Sequence, residues 1–311
     1  MKTLLSMFAA FAMVPAFGDE FRVLAWNVES NRPNQPPVTD AAVIGRQLAD
    51  LMRDPATRSQ IVALSEVEPK TALVYQQAIA DGLATEVDFV TSASGGYRDC
   101  DSLMLVVDTK RFRIEDVMEL HRYAGIKTNF SVTDPGSSDY GAVRARSPLI
   151  AKIHDRAASK DFWFIVNHLA RGEEDLRTDQ GRALRQWAAD RAEPVIAAGD
   201  FNFDYVFSTA KGNAAFDAML EGGVWEWLKP DPLVDSNWSE DPKADVKGID
   251  SYPGSILDFV FVANGAKGWK GTSNVIVREG DFPDTAETSD HRPIIATFEP
   301  PGTSPGSTSG P

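Results

Sequence analysis

Eight polar residues stand where apolar runs end or are interrupted: Asn27, Glu66, His168, Asp200, Asn202, Asp258, Asp290 and His291. Residues 21–26 run into Asn27, residues 61–64 into Ser65 and Glu66, residues 162–166 into Asn167 and His168, and residues 195–198 into Gly199, Asp200 and Asn202. One strand ending this way is ordinary, because Asn and Asp open turns. Four that do so without a solvated spacer point to a shared site at strand ends. Asp200 and Asn202 are two apart, so an extended chain turns both to one side and Phe201 to the other. Carboxylates, amides and imidazoles together suit hard-cation binding and proton transfer.

Asp258 sits inside an apolar run, residues 256–262. A buried, unpaired carboxylate costs several kcal/mol out of the roughly 5–15 kcal/mol that holds a domain together, so Asp258 needs a partner, and a histidine is the natural one. Of the four histidines, His121 and His154 lie among charged residues and read as surface groups. His168 and His291 each border a core strand beside another polar candidate.

The elements that must position these groups are legible as apolar runs rich in β-branched and aromatic residues. Besides those above, they cover residues 103–107, 275–277 and 294–298. Helical spacing appears at Val43, Ile44, Leu48, Leu51 and Met52 behind a Thr39 or Asp40 cap, and again at Leu176, Leu184, Trp187 and Ala188. A further helix is expected over residues 71–80, stopping at Gly82. This order suggests a layered α/β protein with mixed sheets. No Gly-rich phosphate loop follows a strand, which argues against a Rossmann or Walker domain. Trp225, Trp227 and Trp238 fall in a loop-like stretch and read first as packing residues.

Residues 1–18 have one cation at Lys2, an apolar stretch and small residues at Ala16 and Gly18, the pattern of a secretory signal. Export to the periplasm or the extracellular space is the expectation. Residues 300–311 are almost entirely Pro, Gly, Ser and Thr and are expected to be a disordered tail, which leaves residues 19–299 as one catalytic domain. Cys100 is the single cysteine, so no intramolecular disulfide can form. With 31 Lys and Arg against 45 Asp and Glu, the net charge is −14. That disfavours a protein that coats nucleic acid through Lys and Arg, but not a nuclease that recruits its polyanion through bound cations.

Six blocks, in order and spacing, resemble the endonuclease/exonuclease/phosphatase superfamily, whose members include pancreatic-deoxyribonuclease-like enzymes, abasic-site endonucleases, inositol polyphosphate phosphatases and sphingomyelinases. They are Ala-Trp-Asn-Val at 25–28, Leu-Ser-Glu-Val at 64–67, Asn-His-Leu at 167–169, Gly-Asp-Phe-Asn at 199–202, Leu-Asp-Phe-Val at 257–260 and Ser-Asp-His-Arg-Pro at 289–293. The resemblance implies a four-layer αββα sandwich of two mixed sheets and a phosphoesterase using Mg²⁺ or Mn²⁺. Glu66 would be the main metal ligand, with Asn27 and Asp290 completing the site and Glu29 supporting it. Asp200 would orient and help deprotonate the attacking water, Asn202 would hold that water or a phosphate oxygen, and Asp258 would orient His291 against the scissile phosphate. His168 resembles a second histidine of the deoxyribonuclease, phosphatase and sphingomyelinase branches, oriented by Asp101, with Asp99 as the neighbouring alternative. Arg146 and Asn167 would contact phosphate.

Zinc is disfavoured by the lack of a Cys/His cluster. The expected substrate is a phosphodiester, nucleic acid first and phospholipid second, handled by a monomer. The competing expectations are a phosphomonoesterase or sphingomyelinase-like phospholipase on the same site, and a catalytically dead binding module.

Overall fold

The computed structural model describes residues 20–30, 39–93, 101–128, 130–131, 143–144, 146–238, 254–279, 281 and 288–301. The signal-like segment at 1–18, Asp99, and the tail beyond residue 301 lie outside the described residues. The first half of the chain forms β1 (Phe21–Asn27), α1 (Ala41–Arg53), β2 (Ile61–Val67), α2 (Ala72–Leu83), β3 (Val87–Thr91), β4 (Ser102–Asp108) and β5 (Phe112–Glu119). Two short ribbons follow: β6 (Arg122–Tyr123) pairs with β7 (Ile126–Lys127), and β8 (Phe130–Ser131) with β9 (Val143–Arg144). Next come β10 (Leu149–Asp155), β11 (Lys160–His168), α3 (Glu174–Ala189), β12 (Val195–Val206) and α4 (Ala214–Leu220). The chain closes with β13 (Trp225–Trp227), β14 (Ser255–Ala263), β15 (Lys270–Val275) and β16 (Ile294–Glu299).

Two mixed six-stranded sheets result, ordered β15-β16-β1-β2-β4-β3 and β13-β14-β12-β11-β10-β5. Each has a parallel pair at its centre, β1 with β2 and β11 with β12, flanked by antiparallel neighbours. The strand period of two explains why the inner strands read as unbroken apolar runs. In β1, Phe21, Val23 and Ala25 enter the core shared with the second sheet, while Leu24 and Trp26 enter a separate core under α1 and α2. Residues of β2 and β4 divide the same way: Ile61, Ala63, Leu103 and Leu105 face the other sheet, and Val62, Leu64, Met104 and Val106 face the helices. On the far side, Leu184, Trp187 and Ala188 of α3, with Ala215, Phe216 and Met219 of α4, cover the second sheet. The architecture is therefore helix, sheet, sheet, helix.

At the N-terminal end of β1, Phe21 is ringed by Phe112, Phe162, Trp269 and Phe298 at centroid separations of 5.3, 5.7, 6.0 and 5.3 Å. Burying each such ring is worth about 2–3 kcal/mol. This aromatic lock fixes the two sheets at one end of β1 and leaves the opposite end of the sandwich for polar groups.

The structure corrects three expectations. Helix α2 does not stop at Gly82 but runs to Leu83, and Ala84 takes the left-handed cap at φ 53°. Gly82 is instead a contact residue: a Cβ there would meet Ala49 O and Met52 Cβ of α1, each at 2.6 Å, so the glycine allows the two helices to touch. The strand expected at residues 275–277 lies earlier, at β15, an edge strand with exposed Lys270, Thr272 and Asn274, while Val277 is 57% exposed. Trp225 and Trp227 are in a strand, β13, and Trp225 is buried in the core. An edge strand of three residues offers too little periodicity to be read from sequence. As for the expected cap of α1, it is Asp40 whose carboxylate accepts the N–H groups of Ala42 and Val43.

Candidate active site

The C-terminal ends of the two central parallel pairs meet at one end of the sandwich. Asn27 stands in register with Ser65, and His168 with Asp200, which in turn faces Asp258 across an antiparallel pair. The antiparallel pairings of β2 with β4 and of β12 with β14 shift register where the polar residues begin, between Leu64 and Val67 and between Asp200 and Tyr205. Such irregularities turn a side chain away from the alternation a regular strand would impose. Glu66, Asp101, Asn202 and Glu29 all have left-handed backbones, with φ of 54°, 69°, 51° and 47°. Non-glycine residues seldom adopt that region, and it costs of order 1–3 kcal/mol each, so the surrounding fold must hold these four in place.

Asp200 is the hub. It is 2% exposed, and its Oδ2 accepts from Asn27 Nδ2 at 3.2 Å and lies 3.5 Å from His168 Nε2 and 3.7 Å from His291 Nε2. Burial would raise its carboxyl, but His291, His168, the Asn202 N–H and Arg146 together hold it below the usual carboxylate range. The other amide contact of Asn27 Nδ2 is Glu66 Oε1 at 3.0 Å, and Asn27 Oδ1 accepts the Glu29 N–H at 3.1 Å.

Each imidazole is oriented through Nδ1 by a carboxylate. His291 pairs with Asp258 Oδ2 at 2.8 Å and His168 with Asp101 Oδ1 at 2.6 Å. Asp258 thus finds the partner its burial demands. Burial pushes the His291 ring down, yet Asp258, Asp290 and Asp200 outweigh it and hold the ring well above its ordinary value. For His168, burial and Arg146 push down, while Asp101 and Asp200 prevail and raise it. Both rings are thus biased toward the protonated form relative to a free imidazole, and both turn Nε2 toward Asp200.

The last block of the chain closes onto the first. Ser289 Oγ donates to Asn27 O at 2.6 Å and accepts the His291 N–H at 3.0 Å, Trp26 Nε1 donates to His291 O at 2.9 Å, and Glu29 Oε2 accepts the Asp290 N–H at 3.0 Å. Ser236 Oγ accepts the N–H groups of Leu257 and Asp258 at 3.0 and 3.2 Å. Sequence reasoning missed Ser289 and Ser236 as supports. Ser289 lay inside a block already singled out, whereas nothing local marks Ser236.

Arg146 joins the His168 side: Nη2 is 3.3 Å from Asp101 Oδ2 and Nη1 donates to Leu169 O at 3.0 Å. Asn202 departs from the extended geometry expected of it. Its N–H donates to Asp200 Oδ1 at 2.9 Å, a local turn, and its Nδ2 donates to Leu169 O at 3.0 Å. Asn167 is buried, donates to Ile165 O at 3.3 Å, and leaves Oδ1 without a hydrogen-bond partner among the described residues. Trp238 is half-buried, and its N–H donates to Asp290 O at 2.8 Å, so of the three tryptophans it alone borders the site.

Glu66, Asp101 and His168 present ligand atoms within 4.8 Å of one another. Of these, Asp101 also holds His168 Nδ1 and meets Arg146 Nη2. Burial raises the Glu66 carboxyl, and Asp101 and Asp290 reinforce this against His168 and Arg146. A divalent cation relieves that crowding of oxygen donors, and the donor set fits one.

A model of the endonuclease/exonuclease/phosphatase family matches residues 24–291, from β1 to His291. The chain belongs to this family. No curated protein matches it significantly. Solved structures of the same family share its fold at low identity. A Bacteroides vulgatus endonuclease/exonuclease/phosphatase is 16% identical, with TM-score 0.62 over 91% of this chain and 99% of that one. The Bacteroides thetaiotaomicron mannosyl-6-phosphatase Bt3783 is 17% identical, with TM-score 0.60 over 89% and 99%. D. rerio TDP2 complexed with a single-strand DNA product is 17% identical, with TM-score 0.57 over 90% and 98%. Endonuclease/exonuclease/phosphatase proteins are hydrolases of phosphate esters, a chemistry matching the groups gathered here.

Proposed function

We propose that this chain is an exported, Mg²⁺- or Mn²⁺-dependent phosphodiesterase that cleaves nucleic acid by in-line attack of water. The observation that carries the reading is the position of Asp200, whose Oδ2 is flanked by two carboxylate-held imidazoles at 3.5 and 3.7 Å. A divalent ion on Glu66, Asn27 and Asp290 would supply neutralisation of charge on the phosphoryl oxygens. Asp200, held ionised by its cationic neighbours, takes a proton from the attacking water. His291, its ring biased toward the protonated form, donates from Nε2 to a phosphoryl oxygen or leaving group, while Asp258 accepts the Nδ1–H and fixes the ring's orientation. His168, fixed by Asp101, provides a second donor on the opposite side of Asp200.

The DNA-product complex of TDP2 supports a nucleic-acid substrate. The phosphatase activity named for Bt3783 supports a phosphomonoesterase as the second reading. One assay separates them: turnover of single-stranded DNA, plasmid DNA, bis(4-nitrophenyl) phosphate, 4-nitrophenyl phosphate and sphingomyelin, each with Mg²⁺ and with EDTA. We expect diester cleavage that EDTA and Asp200→Ala both abolish. Turnover confined to the monoester selects the second reading, and turnover indifferent to EDTA or to Asp200→Ala refutes the mechanism.

A further inference from the structure

Helix α3 places a fully buried amide, Gln180, outside the residues so far given a chemical task. Its Oε1 accepts the Ala170 N–H at 2.9 Å, and its Nε2 donates to Arg146 O at 2.9 Å and to Thr128 O at 2.8 Å. These are backbone groups of three separate segments: the loop leaving His168, the strand entry that carries Arg146, and the stretch after the β6–β7 ribbon. One turn earlier, Arg177 Nη1 donates to Ala170 O at 2.7 Å, so α3 grips the loop from both the N–H and the C=O of Ala170. The helix itself is immobilised at this point. A Cβ on Gly181 would meet Ala215 O at 2.7 Å, so α3 and α4 are in backbone contact beside Gln180.

Burying a primary amide costs free energy unless every valence is met, and an apolar side chain of the same length would fill the space without that demand. The amide is therefore worth its place for what it aligns. Arg146 turns from this anchored backbone to meet Leu169 O at 3.0 Å and Asp101 Oδ2 at 3.3 Å, and Asp101 holds His168 at 2.6 Å. Leu169 is tied in turn to the hub strand, through its N–H to Asp200 O at 3.0 Å and through its carbonyl, which also accepts Asn202 Nδ2 at 3.0 Å.

We infer that Gln180 is a positioning residue that sets the Arg146–Asp101–His168 side of the site, acting through Arg146 on the phosphate-ester substrate. The inference rests on the reading of the site as a phosphodiesterase centre. It predicts energetic coupling between two side chains linked through the Arg146 backbone and through the Leu169–Ala170 peptide, whose N–H Gln180 accepts and whose carbonyl Arg146 meets.

The test is a double-mutant cycle of Gln180→Met, which keeps length and volume, with Arg146→Ala in the intact protein. On bis(4-nitrophenyl) phosphate with Mg²⁺, each single variant should lower kcat/KM by about 10- to 100-fold, the scale of a misplaced catalytic contact. The double variant should then fall within about 2-fold of Arg146→Ala alone, because the two changes remove one interaction. The Mg²⁺ concentration for half-maximal rate should stay that of the wild type. Multiplied losses, or wild-type kcat/KM in Gln180→Met, overturn the inference. Should Gln180→Met not fold, Gln180→Glu replaces it, keeping the acceptor for Ala170 while losing the donors to Arg146 and Thr128. Absence of diester turnover by the wild type defeats the parent reading instead, and the cycle is then read by calorimetric binding of inorganic phosphate. Non-additive weakening of phosphate binding sustains the inference, and additive weakening or none overturns it.

Discussion

The two histidine–carboxylate pairs on either side of Asp200 are alike in geometry and unlike in construction. His291 and Asp258 join the end of the chain to a core strand, and Asp258 is 1% exposed with Oδ1 unpartnered among the described residues. His168 and Asp101 join a strand end to a left-handed residue at the entrance to β4, where Arg146 takes the second carboxylate oxygen. Both pairs are buried, but the second is also braced by Arg146, which meets Asp101 Oδ2 and donates to Leu169 O in the loop after β11. The contrast separates two ways of fixing an imidazole: by a carboxylate set within a core strand, and by a carboxylate that a cation from another segment also braces.

The most disruptive change is at the shared hub. Asp200→Ala should lower kcat/KM by about 10³- to 10⁴-fold while the protein stays folded, measured by steady-state hydrolysis and circular dichroism. Next come the pairs themselves. Asp258→Asn should cost about 10²-fold in kcat and Asp101→Asn about 10-fold, since Arg146 still braces the second site. Equal losses would erase the proposed difference between them. In urea unfolding, Asp258→Ala should cost about 3 kcal/mol by stranding a buried charge, and Asp101→Ala about 1 kcal/mol at its more accessible site.

Proton binding sharpens the same contrast. The folded His291 ring titrates above 6.5, so its contribution to stability is fully present below pH 6.5 and is lost as pH rises through the folded value. Imidazole NMR of metal-free protein should show that raised midpoint, and Asp258→Asn should bring it down. An unmoved midpoint would mean that Asp290 and Asp200 alone hold the proton. The smallest effect is expected at a histidine–carboxylate pair outside the site, His154 with Asp161 at 2.7 Å on β10 and β11. Asp161→Asn should leave activity unchanged and shift stability by less than about 0.5 kcal/mol, because water screens a partly exposed pair.

Much of this was legible in advance because burial leaves marks in a sequence. The unbroken apolar runs of β1, β2, β4 and β14 follow from strands covered on both faces, and Asp258 stood out because a carboxylate does not enter such a run without a partner. Asp101 had no such mark; a resemblance to a family pointed to it, and only the fold put it against His168. Gly82 was misread because a glycine near a helix end can serve as a cap or as a contact, and the choice depends on the helix packed against it. Gln180 and Ser236 are silent in sequence for the same reason, since the groups they bind are brought close only by folding.

By itself, then, the sequence determined which residues lie inside, where the strands end and which side chains those ends carry, because these depend on local pattern and on the cost of burying polar groups. Only the tertiary structure decided which oxygen faces which imidazole, which residues bear left-handed strain, and which amide fixes a neighbouring loop. Those choices are made by contacts between separate segments, from Asp258 with His291 to Asn27 with Asp200, and no local spacing encodes them.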